Sequence, residues 1–412
     1  MRRFRSIIIA IIILLIIINI AFIVILLRNS KNETKSDNKA ISAQVSEKNG
    51  HESEAETGTP KNRDEADLGS MGDAEQGTKP EDTPEDFEFK MTFVGDCCMS
   101  TEKEKIVEGS LLWYADNYPT SYFFEKVISY FEDDDVTIAN CENCFTDRDL
   151  PTKEKEGEDN YWFKSPTSFA KVFSDNSIEA VSIANNHSSD YGDASYEDTK
   201  KALDDAGVRW GDKDNTLYFE KNGYTVAVVC VSFFSYDSAE GVLDYLADAS
   251  EKSDFQVIFF HGGIEGEFFP NSWVMEMCHK YVDNGADLII GAHPHVLQRR
   301  ETYNNVDIVY SLGNFCFGGN NNPSSNRTII YKYNLKLHRE PEGDKVELVD
   351  KSEEMIPCYV HTGGGQNNWQ PAPIEDADMA DWVIRYMNGE VEYPDPTYQP
   401  VTESDEENKT EE

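Results

Sequence analysis

Five times between residues 89 and 295, a short apolar run ends in a cluster of glycine, asparagine, acid or histidine. Phe89–Val94 leads into Gly95-Asp96, Val136–Ala139 into Asn140-Cys141-Glu142-Asn143, and Ala180–Ala184 into Asn185-Asn186-His187. Gln256–Phe260 leads into His261-Gly262-Gly263, and Leu288–Ile290 into Gly291-Ala292-His293-Pro294-His295. Apolar runs this short read as buried strands. Helix-like segments lie between them, at Ser121–Phe131, Thr167–Phe173, Tyr196–Ala206 and Trp273–Val282. Such alternation predicts an α/β layered domain. Thr225–Ser232, Val306–Ser311, Arg327–Leu337 and Lys345–Asp350 add strands, the later ones with fewer helices between, so a second sheet or an antiparallel edge is expected.

In open α/β sheets the ligand crevice lies at the carboxyl ends of the strands. Five strand ends in this order bring Asp96, Glu142, Asn186, His187, His261, His293 and His295 toward one place. Each has an ordinary reading when taken singly: Gly-Asp makes turns, Asn caps helices, and a lone histidine is more often structural than not. The recurrence decides. Oxygen and imidazole donors together suit a divalent ion such as Mn, Zn, Fe or Co. His51, His279, His338 and His361 lack this setting.

The ends of the chain differ from the middle. Residues 7–27 are apolar except for Asn19 and, as a helix, reach roughly 30 Å, one bilayer core. The run exceeds a signal-peptide core, and no small-residue cleavage site follows directly. An uncleaved membrane anchor is expected, with residues 1–6 as a short cytoplasmic tail and the bulk of the chain extracytoplasmic. Residues 28–87 have almost nothing to pack and read as a disordered acidic linker, as does the tail 388–412. Of the net charge of -40, residues 1–27 contribute +3, residues 28–87 contribute -7 and the tail -8, leaving -28 for 88–387. So acidic a domain repels phosphate backbones, which excludes nucleic acid as a partner. It is equally unsuited to anionic lipid, so any membrane link falls to the apolar run.

The ordered blocks carry a resemblance. Phe93-Val-Gly-Asp96, Ala139-Asn-Cys-Glu142, Ala184-Asn-Asn-His-Ser-Ser-Asp-Tyr-Gly192, His261-Gly-Gly-Ile-Glu265, Gly291-Ala-His-Pro-His-Val296 and Tyr310-Ser-Leu-Gly-Asn-Phe315 resemble the CapA-type capsule-synthesis family, which is related to the calcineurin-like metallophosphoesterases. The resemblance spans about residues 89–320 and implies a four-layer sandwich, two sheets flanked by helices. It implies that Asp96, Glu142, Asn186, His261, His293 and His295 hold one or two ions. His187 would then be an acid or orienting group, held by Asp190. Cys98 stands where the phosphoesterase Asp-x-His pattern has histidine, which departs from a complete two-metal site.

Three functions follow as expectations. The first is a membrane-anchored protein acting in synthesis, export or anchoring of an anionic surface polymer of the poly-γ-glutamate type, with capsule-synthesis membrane proteins as partners. The second is a surface metallohydrolase of phosphoesters or amides. The third is a non-catalytic assembly factor with a structural metal. The eight cysteines leave three readings open: disulfides, free buried thiols, or a thiolate metal site built from Cys97, Cys98, Cys141 and Cys144.

Overall fold

A computed structural model describes residues 85–155, 160–340, 345–364 and 366–392. The expected cytoplasmic tail, the anchor and nearly all of the linker lie outside these residues, as does the tail beyond residue 392. No helix among the described residues is long and apolar enough to cross a membrane.

The strands begin with β1 (Glu85–Cys98), β2 (Val136–Cys141), β3 (Cys144–Phe145), β4 (Lys164–Ser165), β5 (Ala180–Ser182) and β6 (Arg209–Gly211). There follow β7 (Leu217–Lys221), β8 (Tyr224–Phe233), β9 (Phe255–Gly262), β10 (Leu288–Ala292) and β11 (Leu297–Tyr303). The last are β12 (Val306–Leu312), β13 (Asn314–Phe317), β14 (Arg327–Arg339), β15 (Val346–Tyr359) and β16 (Ala372–Pro373). One sheet runs β16-β15-β14-β1-β2-β5-β6, with β13 also paired to β1; the other runs β11-β12-β10-β9-β8-β7. Both are mixed. In the first, β1, β2, β5 and β6 are parallel while β14 and β15 form a long antiparallel extension. In the second, β8, β9, β10 and β12 are parallel between antiparallel edges.

The helices include α1 (Leu111–Asn117), α2 (Ile128–Phe131), α3 (Lys171–Ser174) and α4 (Asp193–Ala206), all early in the chain. Later come α5 (Tyr236–Glu240), α6 (Val242–Ser250), α7 (Ser272–Asp283) and α8 (Ala377–Met387). Side-chain alternation divides the core into layers. Phe89, Met91 and Phe93 of β1 share one cluster with Val226, Val257, Phe259, Ile290 and Val309 of the other sheet, so the two sheets pack face to face. On the outer face of the first sheet, Val94, Ala139 and Val181 meet Leu111, Phe131, Val172 and Leu203 of the early helices. Outside the second sheet, Val229, Ile258 and Ile289 meet Leu246, Met277 and Tyr281 of α6 and α7. Helix, sheet, sheet, helix is the expected layer order.

Several boundaries move. β1 starts at Glu85, three residues inside the expected linker, because Glu85, Asp86 and Phe87 pair with Arg339, His338 and Leu337 of β14. Residues beyond 387 also continue in contact, with Val391 packed against the inter-sheet core. The expected helices at Ser121–Phe131 and Thr167–Phe173 are largely 3-10 turns, with only the single-turn α2 and α3.

Of the three readings left open for the cysteines, the structure selects free buried thiols. All eight are free and buried. Cys97, Cys141, Cys316 and Cys358 fill the outer cluster of the first sheet as small hydrophobes, and Cys230 and Cys278 do the same elsewhere. Burial pushes the Cys98 thiol well above its usual range, so it stays protonated. Disulfides and a thiolate site are therefore not what this fold builds.

Where the strands end, backbones close tightly. A Cβ on Gly291 would lie 2.1 Å from the Tyr310 carbonyl oxygen of β12, and one on Gly95 1.9 Å from that of Gly313. Gly291→Ala is expected to destabilise the domain by about 1–3 kcal/mol, the usual penalty of overpacking, in a denaturant melt. A second outcome concerns Asp134, whose carboxyl is pushed up to about 6 chiefly by burial. A carboxyl raised on folding binds its proton more tightly in the folded state, so stability falls as pH rises from the ordinary carboxylate range through 6. Asp134→Asn should flatten that decline in melts taken across the window.

Candidate metal centre

A β-bulge interrupts the pairing of β1 with β2 between Val94 and Asp96. Val94 and Cys97, three residues apart, both face the outer helices as a result. Asp96 is left at the strand end, pinned by a backbone bond from its N–H to the Gly313 carbonyl at 2.9 Å. Glu142 follows β2, and its N–H bonds the Cys97 carbonyl at 2.9 Å. From the second sheet come His261, near the end of β9, and His293 and His295 in the loop after β10. The structure thus brings together Asp96, Glu142, Asn186, His187, His261, His293 and His295, as the strand ends led one to expect.

Their separations define the site. Glu142 Oε1 lies 3.7 Å from His261 Nε2, 3.7 Å from His295 Nε2 and 4.0 Å from His187 Nε2. It is buried and makes no hydrogen bond. Those gaps are too long for hydrogen bonds. They match ligand atoms sharing one ion, which at bond lengths near 2.1 Å sit roughly 3–4 Å apart. Among the described residues, two groups of ligand atoms are close enough to hold an ion: Glu142 with His293 and the partly buried His295, and the buried Asp96, Glu142 and His261. Neither includes a cysteine. Cys98 instead packs with Phe163 and Phe317 in a small apolar cluster.

His293 and His295 have positive φ, 101° and 58°, on either side of Pro294. Side-chain-bearing residues avoid this region, and such strain persists where the surroundings over-determine it. Here the Nδ1 of His293 lies 3.0 Å from His261 Nε2, and the Nδ1 of His295 lies 3.1 Å from Asp96 Oδ2 and 3.0 Å from Asn314 Oδ1. Electrostatics separate the groups. Burial, then Asp96, drives the Glu142 carboxyl well above the usual range. Burial drives His261 well below its usual value and His293 down to about 3, so both rings are neutral, the form that coordinates metals. Burial also opposes the charge on His295, but Glu142 and Asp96 outweigh it and push the ring up to about 10.

His187 stands beside this cluster. Its Nδ1 lies 2.8 Å from Asp190 Oδ2, the pairing that the resemblance implied. Asp190 is wholly buried and also takes the Phe163 N–H at 2.8 Å and the Lys155 ammonium at 2.6 Å. Lys155 went unrecognised in the sequence, because its loop carries no periodic pattern. Asn140 and Asn314 were likewise missed as members of the site, although both lie within blocks already singled out. Burial, more than the neighbouring charges, lowers the His187 ring. Beyond His187 and His295 opens a cleft of about 460 Å³, walled by Tyr161, Phe163, Phe317 and Asn320 with Glu102, Glu265 and Lys105.

Residues 90–319 match the model of the bacterial capsule synthesis protein family PGA_cap. The chain belongs to that family. It is 30% identical over 257 residues to the PGA biosynthesis protein CapA of Bacillus subtilis, covering 57% of this chain and 65% of that one. It is 29% identical over 258 residues to the capsule biosynthesis protein CapA of Bacillus anthracis, covering 57% and 61%. The match thus spans less than two thirds of either relative. Among solved structures it is similar to a calcineurin-like phosphoesterase of Bacillus subtilis, at TM-score 0.39 and 13% identity over 66% of this chain and 91% of that one. It is also similar to a phosphatase of Mycoplasma pneumoniae, at TM-score 0.36 and 11% identity over 66% and 94%.

Lys155 neutralises a wholly buried carboxylate. Lys155→Met is expected to cost about 3 kcal/mol, since removing one partner leaves a buried charge. Lys153→Met, on the exposed side of the same loop, should change stability by less than about 0.5 kcal/mol. Paired denaturant melts check both.

Proposed function

We propose that residues 85–392 form a divalent-metal-binding domain acting in the synthesis, export or anchoring of an anionic surface polymer of the poly-γ-glutamate type. In this reading residues 7–27 hold the domain at the outer face of the membrane, beside other capsule-synthesis membrane proteins. The observation that carries the metal is the unsatisfied Glu142 Oε1 among three imidazole nitrogens. Glu142, His293 and His295 are the donors, with Asp96, Asn186 and His261 closing the remaining sides. The family match and the two capsule-protein relatives support the polymer.

A bound ion would polarise a carbonyl or phosphoryl oxygen. The chain's own residues do the rest. Asp190 holds the His187 ring with Nε2 turned toward Glu142 Oε1, where it can accept or return a proton. Phe163 and Phe317 wall the approach to it. The cleft carries Glu102 and Glu265 against Lys105, so a bound ion, and not a basic groove, would supply the positive charge facing an anionic chain. The His187–Asp190 pair also favours a second reading, hydrolysis of phosphoesters or amides at the same centre. Turnover of a p-nitrophenyl phosphodiester with added manganese, lost in His187→Ala while metal stays bound, would select that reading.

The test is metal content after reconstitution of the full chain with Mn, Zn, Fe or Co in turn. Bound metal is expected in wild type, reduced in His293→Ala and unchanged in His338→Ala, whose half-buried ring pairs with Asp86 away from the site. Stripping the ion should lower the melting temperature. At ligand concentrations one hundredfold above Kd, the linked stabilisation is about 2.7 kcal/mol. No bound metal, or metal indifferent to His293→Ala, would overturn the reading.

A further inference from the structure

One of the two ligand groups is already filled. The Asn140 side-chain amide, itself buried, points Nδ2 into the group formed by Asp96, Glu142 and His261. It lies 2.8 Å from Asp96 Oδ1, 3.1 Å from His261 Nδ1 and 3.3 Å from Glu142 Oε2. These are the same three residues that would surround a cation.

The orientation of that amide follows from its neighbours. Asn185 Oδ1 accepts the His187 backbone N–H at 3.1 Å, and Asn185 Nδ2 donates to the Cys141 carbonyl at 2.8 Å. Neither group can be exchanged without setting donor against donor or acceptor against acceptor. Asn185 Nδ2 therefore also faces Asn140 at 3.1 Å, where only an oxygen can receive it. Asn140 Oδ1 takes that bond, and Nδ2 is left turned to the carboxylates. His261 agrees with this arrangement. Its Nδ1 accepts from Asn140, so its proton sits on Nε2, which donates to Asn186 Oδ1 at 2.8 Å.

Resting on the metal-binding reading above, we propose that the Asn140 amide takes the place of a second cation, so the centre holds a single ion at Glu142, His293 and His295. One amide hydrogen goes to His261 Nδ1 and the other to Asp96 Oδ1, with Glu142 Oε2 at the longer 3.3 Å sharing it, so the amide places partial positive charge where a second ion would otherwise lie. Glu142 is divided between the two roles, Oε2 facing Asn140 and Oε1 left for the ion. Cys98 fits the same account, because its thiol is sequestered with Phe163 and Phe317 and adds no donor.

The experiment titrates Mn2+ into metal-free wild type, Asn140→Asp and Asn140→Ala, reading stoichiometry by calorimetry and elemental analysis and ion pairing by electron paramagnetic resonance. Wild type is expected to take one equivalent and to show the spectrum of isolated ions. Asn140→Asp, with a carboxylate in place of the amide, is expected to take two and to show spin-coupled pairs. Asn140→Ala, which vacates the position without adding a ligand, should take its second equivalent more weakly. Thermal melts show which variants fold, and either folded variant suffices for the comparison. Two tight equivalents in wild type would overturn the proposal, as would a single equivalent in a folded Asn140→Asp chain. No metal in wild type would instead overturn the reading on which it rests.

Discussion

Two carboxylates, Asp96 and Glu142, are buried without any solvent exposure where strands of both sheets end. Removing a charge from water costs several kcal/mol even after relaxation, unless partners replace the lost hydration. Much of the local architecture supplies such partners. Asn140 offers an amide, His295 an imidazole and the His293 backbone an N–H 3.3 Å from Asp96 Oδ2. The bulge in β1, the glycines that let backbones meet and the strained His-Pro-His loop serve to hold these groups within reach. An apolar packing alone would tolerate looser ends.

The elements most legible in the sequence were those whose pattern is local. A short apolar run closed by a polar cluster reads as a buried strand and its carboxyl end wherever it occurs, which is why Asp96, Glu142, Asn186, His261, His293 and His295 were found together. Long amphipathic helices such as α4 and α7 were read within a few residues of their ends. What escaped depends on register between distant segments. Asn314 matters because it lies opposite Asp96 in the β1–β13 pairing. Lys155 matters because its loop crosses Asp190. Lys155 is not marked by its neighbours in the chain, and Asn314, though inside the Tyr310–Phe315 block, has no role that can be read without that pairing.

Cysteines illustrate the same limit in the other direction. Cys97 pairs in register with Cys141 of β2 and Cys316 of β13, so three thiols lie across adjacent parallel strands. An even count and close spacing suggested cross-links or metal binding. Burial in a layer of phenylalanine and valine instead makes them space-filling groups. Reactivity follows the thiolate fraction, and desolvation suppresses it here.

Distance along the chain has a consequence for how the domain forms. The His293 N–H reaches the Asp96 carboxylate across 197 residues, and β1 must meet β13 and β14, from much later in the chain, before Asp96 is enclosed. Contacts so remote in sequence are reached late and slowly, because closing each large loop must precede its reward. The donors proposed for an ion, Glu142, His293 and His295, lie on segments far apart in the chain, so on that reading the complete site would exist only once both sheets have met. As a polypeptide emerges N-terminus first, Asp96 and Glu142 must wait uncovered until the last strands of both sheets have been made. On the metal-binding reading, capture of an ion would mark the completion of folding and not its beginning.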